Sequence, residues 1–402
     1  MDRSTPRRWW TSSTAEEKGV AAAIVAAIVA LLFAIVVGAL RPTYFLYLFG
    51  LGAMFALLSL GLNVQWGFTG LINFSVAAFF GLGAYGAALM TASNSPIAGD
   101  VSPVFGFVLG LALAGVVAVL IGIPTLRLRA DYLAIATLGL AEVVRSIIRI
   151  EREWTGGSIG LRGIPRFFHD WPVIGTLPDE LPTVTVIILP GEEIEFATSF
   201  WRELLNVVLV LVFLFAVYLV LRRAHRSPWG RVLRSIRSDE DLAKALGKDT
   251  YSFKMQAFVL GSLVMALGGI FFAHLQLHVE PGQLSPDWTF LVWLAVILGG
   301  SGSVRGAIFG GFAIVTIREG TRFANDIIDW VPYLELTVDP APLRLLLIGL
   351  VIVLVMRFRP QGLLPPQREL IWPDAVGHEA PTGPERAVRE AGQHSPAFDR
   401  RL

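Results

Sequence analysis

The sequence predicts an all-α polytopic membrane protein of about ten transmembrane helices, including a glycine-broken pair, with both termini cytoplasmic. Three observations carry this. Of the 402 residues, 54% are hydrophobic and 16% charged, where a soluble domain carries about 25% charged residues. Between Pro42 and Leu126 the one charged side chain is Asp100, a pattern that water-soluble folds do not tolerate. Finally, basic residues gather in one interruption: Arg222, Arg223, Arg226, Arg231, Arg234, Arg237, Lys244, Lys248 and Lys254. By the positive-inside rule that interruption is cytoplasmic.

The elements follow in order. Residues 1–18 form a cytoplasmic segment whose Arg3, Arg7, Arg8 and Lys18 precede a retained first helix, Gly19–Leu40. The transmembrane domain covers 19–365. Its next spans are Thr43–Asn63 and Asn73–Ser93, joined by GFTGLIN, then Pro103–Ile123 and Tyr132–Ile150. An external loop, 151–203, is rich in acids and proline, and TVTVII (Thr183–Ile188) has the β-branched alternation of a strand. Leu204–Leu221 returns inward to the basic loop, 222–253, and Phe253–Leu275 leads out again. Trp288–Ile317 is too long for one span, and GGSGSVRG (Gly299–Gly306) breaks it into two. Arg318–Ala341 is external, Leu343–Met356 closes the domain, and 366–402 reads as a disordered cytoplasmic tail. Glycine-rich breaks recur at Gly67–Gly70 and Gly299–Gly306, which chance or a translocation path would both explain.

The basic loop holds the most informative stretch, Ser227–Phe253. A short helix is expected at Ser235–Gly247: Asp239 and Glu240 suit the positive end of the helix dipole, and Gly247 suits a helix stop. Leu242, Ala243, Ala245 and Leu246 give it a small apolar face. An ordinary positive-inside loop is one reading, and a docking helix for a motor subunit is the other. GRVLRSIRSDEDLAKALG (Gly230–Gly247) resembles the coupling segment of permease subunits of branched-chain amino-acid ABC importers, the LivM type. The resemblance lies in Glu240, Ala243, Ala245 and Gly247, with Asp241 and Leu242 departing from the family's apolar and small residues.

Five more stretches carry the same resemblance, which spans roughly 53–365. GLNVQWGFTGLINFSVAAFFGLGAYGAAL (Gly61–Leu89) is dense in small residues, which permit close helix packing. Its Asn63, Gln65, Asn73 and Ser75 are candidates for a translocation path. Ser75 and Val76 stand where the family often has Gly-His, so no role of that histidine carries over. LRLRADYLAIATLGLAEVVRSIIR (Leu126–Arg149) places Glu142 about 15 Å into a helix. Arg145 lies at i+3, so the two form either a structural pair in the interior or part of the path. TGGSIGLRGIP (Thr155–Pro165) is a glycine turn or, by the resemblance, the start of a binding-protein docking loop. VILGGSGSVRGAIFGG (Val296–Gly311), with Arg305 near the inner surface, and FRPQGLLP (Phe358–Pro365) complete the set.

Several chemistries are excluded. With no cysteine there is no disulfide or thiolate site. No P-loop, H-E-x-x-H or G-x-S-x-G sequence occurs. His274 and His278 are at i,i+4 spacing but suit an interfacial role better than a metal site. A net charge of +1 gives no reason to expect nucleic acid as a partner. The resemblance implies a non-enzymatic permease in the cell inner membrane, moving branched-chain amino acids or a related small amide. Its partners would be a second, homologous permease, two cytoplasmic ATP-binding subunits that use the ATP, and an external substrate-binding protein. The ATPase-coupling residues would be Ser235, Asp239, Glu240, Ala243, Ala245 and Gly247. The alternative is an ion-coupled secondary transporter of small solutes, for which Glu142 is the one coupling acid apparent within a span.

Overall fold

The computed structural model describes residues 41–99, 101–169, 171, 174, 176–189, 192–320, 340–359 and 361–365. The expected first helix, Gly19–Leu40, and the tail beyond 365 lie outside the described residues. Nine helices of 14 residues or more stand among those described. They are α1 (Pro42–Leu62), α2 (Val76–Thr91), α3 (Pro103–Thr125), α4 (Ala130–Ile150) and α5 (Thr198–Arg226), followed, after two short helices, α6 (Pro228–Ser238) and α7 (Glu240–Ala245), by α8 (Thr250–Gln276), α9 (Pro286–Gly299), α10 (Val304–Gly320) and α11 (Pro340–Phe358). Four segments, 42–68, 103–125, 198–226 and 250–276, are long and apolar enough to cross a membrane. The protein is an all-α membrane protein.

Hydropathy alone does not say which helix is central. The most apolar windows of α1 and α8 are 78% and 83% buried, those of α3 and α5 22% and 28%. All four are apolar, the outer pair more so, and they differ in what covers them. In α1 and α8 it is protein; the outward faces of α3 and α5, such as Phe105, Leu120, Val212 and Phe215, suit lipid. Small residues set the inner contacts. A Cβ at Gly83 of α2 would lie 2.0 Å from the Ala266 carbonyl oxygen of α8, and one at Gly269 would lie 1.9 Å from that of Phe80. Glycine at both positions lets α2 and α8 meet backbone to backbone. Aromatic rings fill the adjoining space, with Phe80 and Phe55 stacked on Trp288 and Phe272 edge-on to it.

Helix α1 does not end at Leu62. It widens into a π-helical turn, Asn63–Phe68, and from Gly70 the chain runs without helix to Ser75. The expected glycine break separates α9 from α10, with Gly300 and Gly302 at positive φ. The FRPQGLLP stretch closes this second break: the Leu363 and Leu364 amides donate to the Leu298 and Gly299 carbonyls, both at 2.9 Å. Orphan carbonyls at the end of α9 are thereby satisfied.

Away from the basic segment, the loop after α4 is tied down in two ways. Strand β1 (Leu161–Arg162) pairs antiparallel with β4 (His278–Val279), and the intervening pair β2 (Val184–Leu189) and β3 (Glu192–Phe196) forms a hairpin. The expected strand at Thr183–Ile188 is therefore present one residue later. His274, on α8, holds the Pro165 carbonyl at 2.7 Å, whereas His278 lies beyond the helix on β4. The two histidines are not one helical pair, and no metal-holding group occurs among the described residues.

Candidate functional site

The basic segment folds as two helices, which corrects the expectation of one helix over Ser235–Gly247. Asp239 is the reason. Its backbone is extended (φ −158°, ψ 105°), and its carboxylate accepts from the Leu242 amide at 2.9 Å, capping α7. A residue that caps the next helix cannot also continue the last one. Ser235 thus belongs to α6, and its hydroxyl bonds the Arg231 carbonyl. Gly247 ends α7 as expected. At φ +76° it allows the Gly247 and Lys248 amides to reach the Lys244 and Ala243 carbonyls at 2.9 and 3.1 Å. That is the paired closure of a Schellman motif.

Glu240 fastens α7 to the membrane body. Its carboxylate takes Lys254 Nζ at 2.7 Å, Lys244 Nζ at 3.1 Å and the Thr250 hydroxyl at 3.2 Å. Burial would raise this carboxyl, but the hydrogen bonds and charges of Lys254 and Lys244 together hold it below the ordinary value. Arg234 donates to the His225 carbonyl at 2.9 Å, and Trp229 to Gln256 at 2.8 Å. These contacts turn one face of the segment inward. Ala243 lies on that inward face, buried in its own chain, which corrects its expected place in a partner groove. The outward apolar residues are Leu242, 57% exposed, and Leu246, 71% exposed, with Ala245 beside them.

Asn63, Gln65, Asn73 and Ser75 come together in the core, all at 0–1% exposure. Asn73 donates to Gln65 at 2.6 Å, and Gln65 to the Phe258 carbonyl of α8 at 2.8 Å. The Ser75 amide and hydroxyl both reach Asn73 Oδ1, at 2.8 and 2.5 Å. Asn63 accepts from the Gly302 amide at 2.7 Å, joining the π-helical turn to the second break. Each of the four bonds within the chain, and none lines an open path in this conformation. Around them, Trp293 stacks on Phe74 and lies 4.6 Å from Trp66, centroid to centroid, and its indole donates to the Asn73 carbonyl.

Glu142 and Arg145 stand apart from this network. They form the i,i+3 pair at 3.2 Å, and Arg145 also reaches the Pro281 carbonyl at 3.3 Å. Within this chain Glu142 is 48% exposed, because α4 buries only the stripe Leu133, Thr137, Ala141 and Ile148. Two buried acids escaped the sequence analysis, Glu203 at 3.2 Å from Arg166 and Glu319 at 3.4 Å from Arg318. Each lies near a helix terminus, and the signal was an acid at the edge of an apolar run.

Comparison with known proteins bears on the whole chain. The family model described as "Branched-chain amino acid transport system / permease component" matches residues 44–356. The high-affinity branched-chain amino acid transport system permease protein LivM of Salmonella typhimurium (strain LT2) is 31% identical over 348 residues, covering 81% of this chain and 72% of its own. The probable LivM of Methanocaldococcus jannaschii is 26% identical, covering 80% and 92%. LivH of Salmonella typhimurium is 22% identical, covering 66% and 80%. No solved structure matches the chain at the same level of significance.

Proposed function

From the premise that the chain belongs to the branched-chain amino acid transport permease component family, we propose that it is one of two permease subunits of an ATP-driven importer. Its cargo is a branched-chain amino acid or a related small amino acid or amide, carried across the cell inner membrane. The second permease is a homologue, two cytoplasmic ATP-binding subunits hydrolyse ATP, and an external protein delivers the substrate. Ten spans with cytoplasmic termini, and the loop 151–203 outside, complete this reading.

The observation that carries it is the build of α6 and α7. A loop that served only as a positive anchor needs no caps and no ion-paired seat. This one has an Asp239 cap, a Schellman end at Gly247 and a Glu240–Lys254 tie, and it still leaves Leu242 and Leu246 outward. Two exposed leucines on a fixed helix suit insertion into a groove of another protein. Alternating access then follows from mechanics: a subunit that grips α7 moves a body fastened to α5 and α8.

Uptake of radiolabelled leucine into membrane vesicles tests the reading. ATP depletion is expected to abolish uptake, and collapse of the proton and sodium gradients to leave it intact. The opposite pattern would assign the chain to ion-coupled transport.

A further inference from the structure

Arg237 lies on the last turn of α6 and reaches into the body of the protein. Its guanidinium donates to the Gly67 carbonyl through Nη1 and to the Ser301 hydroxyl through Nη2 at 3.2 Å. Those two acceptors belong to the two helix breaks, one after α1 and one between α9 and α10. The arginine also sits directly on the first break. Gly70 has φ +78°, and a Cβ there would lie 3.4 Å from Arg237 Cγ and 3.7 Å from its Cα. The breaks themselves are in contact: a Cβ on Gly67 would lie 2.6 Å from the Gly302 nitrogen, and Asn63 accepts from that same amide.

The other ties of the segment go elsewhere. Trp229 and Glu240 hold it to α8, and Arg234 holds it to α5. Arg237 therefore joins the outer segment to the place where three pieces of broken helix meet. Both acceptors, a carbonyl and a hydroxyl, are neutral, and the residue is partly exposed. Detaching it leaves no buried acid without a counter-charge, and water can solvate the released guanidinium. Such a contact is directional, and breaking it strands no buried charge, unlike a buried ion pair.

We infer that Arg237 is the positioning residue that delivers movement of α6 and α7 to the two joined helix breaks, and so couples ATP use to opening of the permease. This rests on the proposal that ATP-binding subunits grip α7. It assigns Arg237 to transmission and leaves docking to Leu242 and Leu246.

The assembled importer, in proteoliposomes with its binding protein, gives the test, with leucine as the probe. Wild type is compared with Arg237→Ala, Arg237→Lys and Ser301→Ala for co-purified ATPase, ATP hydrolysis and leucine taken up per ATP. Arg237→Ala is expected to keep the ATPase subunits and hydrolysis within about twofold, while uptake per ATP falls about tenfold or more. Lysine keeps the charge but lacks the fork that spans both breaks, so it restores uptake in part. Ser301→Ala removes one acceptor and gives a smaller loss in the same direction. Unchanged uptake per ATP in Arg237→Ala overturns the inference, as does loss of the ATPase subunits, which would make the residue a docking contact. Should Arg237→Ala fail to fold, unchanged uptake per ATP in both other variants overturns it equally. Wild-type uptake that ignores ATP would overturn the functional proposal; ATP-dependent uptake untouched by Arg237→Ala would overturn this inference alone.

Discussion

Glu240 shows how much one side chain decides in this protein. Its three partners come from α7 and from the start of α8, so removing its charge releases α7 from the body. Glu240→Gln is expected to cost about 1 kcal/mol, since the site is about one-third exposed and the pairing is partly screened. Hydrogen exchange across residues 240–247 should speed up accordingly. The sign of the pH effect follows from the depressed folded pKa. The contribution is fully present above the ordinary carboxylate value and is lost as pH falls through the depressed one. Protection of α7 should therefore be flat from about pH 6 to 8 and fall only in acid. A protection factor, corrected for the intrinsic pH dependence of exchange, that falls between about pH 6 and 8 would contradict this. For Glu142 the expectation is milder. Its i,i+3 pair is half exposed in the chain, worth about 0.2–0.5 kcal/mol. Glu142→Gln should keep near wild-type abundance, and loss of uptake in that variant would place the residue on the path.

Asp239 was read as charge at a helix start and not as the cap that splits the segment, but two residue roles set by local chemistry were legible in the sequence: the helix-stopping Gly247 and the Glu142–Arg145 pair. The orientation of Ala243 was not. A six-residue helix has too few residues for periodicity to define a face, and the Glu240–Lys254 contact, 14 positions apart, fixes which side turns inward. The same distance problem hid Arg237, whose acceptors lie 170 and 64 positions away.

At the scale of elements, the two helix breaks are the centre of the account. Their existence was visible as clustered glycine, and their meeting was not, because it depends on one asparagine accepting from a residue 239 positions on. The π-helical turn left no composition signal either: the sequence placed the end of a span at Asn63 and a glycine break at Gly67–Gly70, with nothing to mark Asn63–Phe68 as one widened turn. Asn63→Ala leaves the Gly302 amide buried without its acceptor, which costs about 1–3 kcal/mol. A lower melting temperature in detergent is expected, with the Gln65–Phe258 bond unaffected. A variant as stable as wild type would mean that the breaks are joined by packing alone. The helix boundary at Asp239 gives a second check: Asp239→Ala removes the cap, at about 1 kcal/mol, and should loosen 240–247 while leaving α8 protected from exchange.

For the whole molecule, the membrane class and, among the described residues, the long helices could be read from apolar runs, because lipid imposes length and composition directly. Depth in the bundle could not, since central α1 and peripheral α5 are both apolar enough to cross a membrane and differ in what surrounds them. Orientation is open to a direct test, helped by the absence of native cysteine. Ser158 and Ser238 are both exposed. Ser158→Cys should react with an impermeant thiol reagent in intact cells, and Ser238→Cys only after lysis. The reverse would turn the molecule over and remove α7 from the cytoplasm.

The central claim is that separate ATP-binding subunits grip this permease through the outward face of α7. Leu246 is 71% exposed and takes no part in the ties that seat the helix, so Leu246→Arg should leave the membrane fold intact. The measurement is the amount of ATP-binding subunit recovered with the purified permease. The account predicts normal yield of Leu246→Arg permease with the ATPase reduced about tenfold or more; recovery of the ATPase at the wild-type ratio would contradict it.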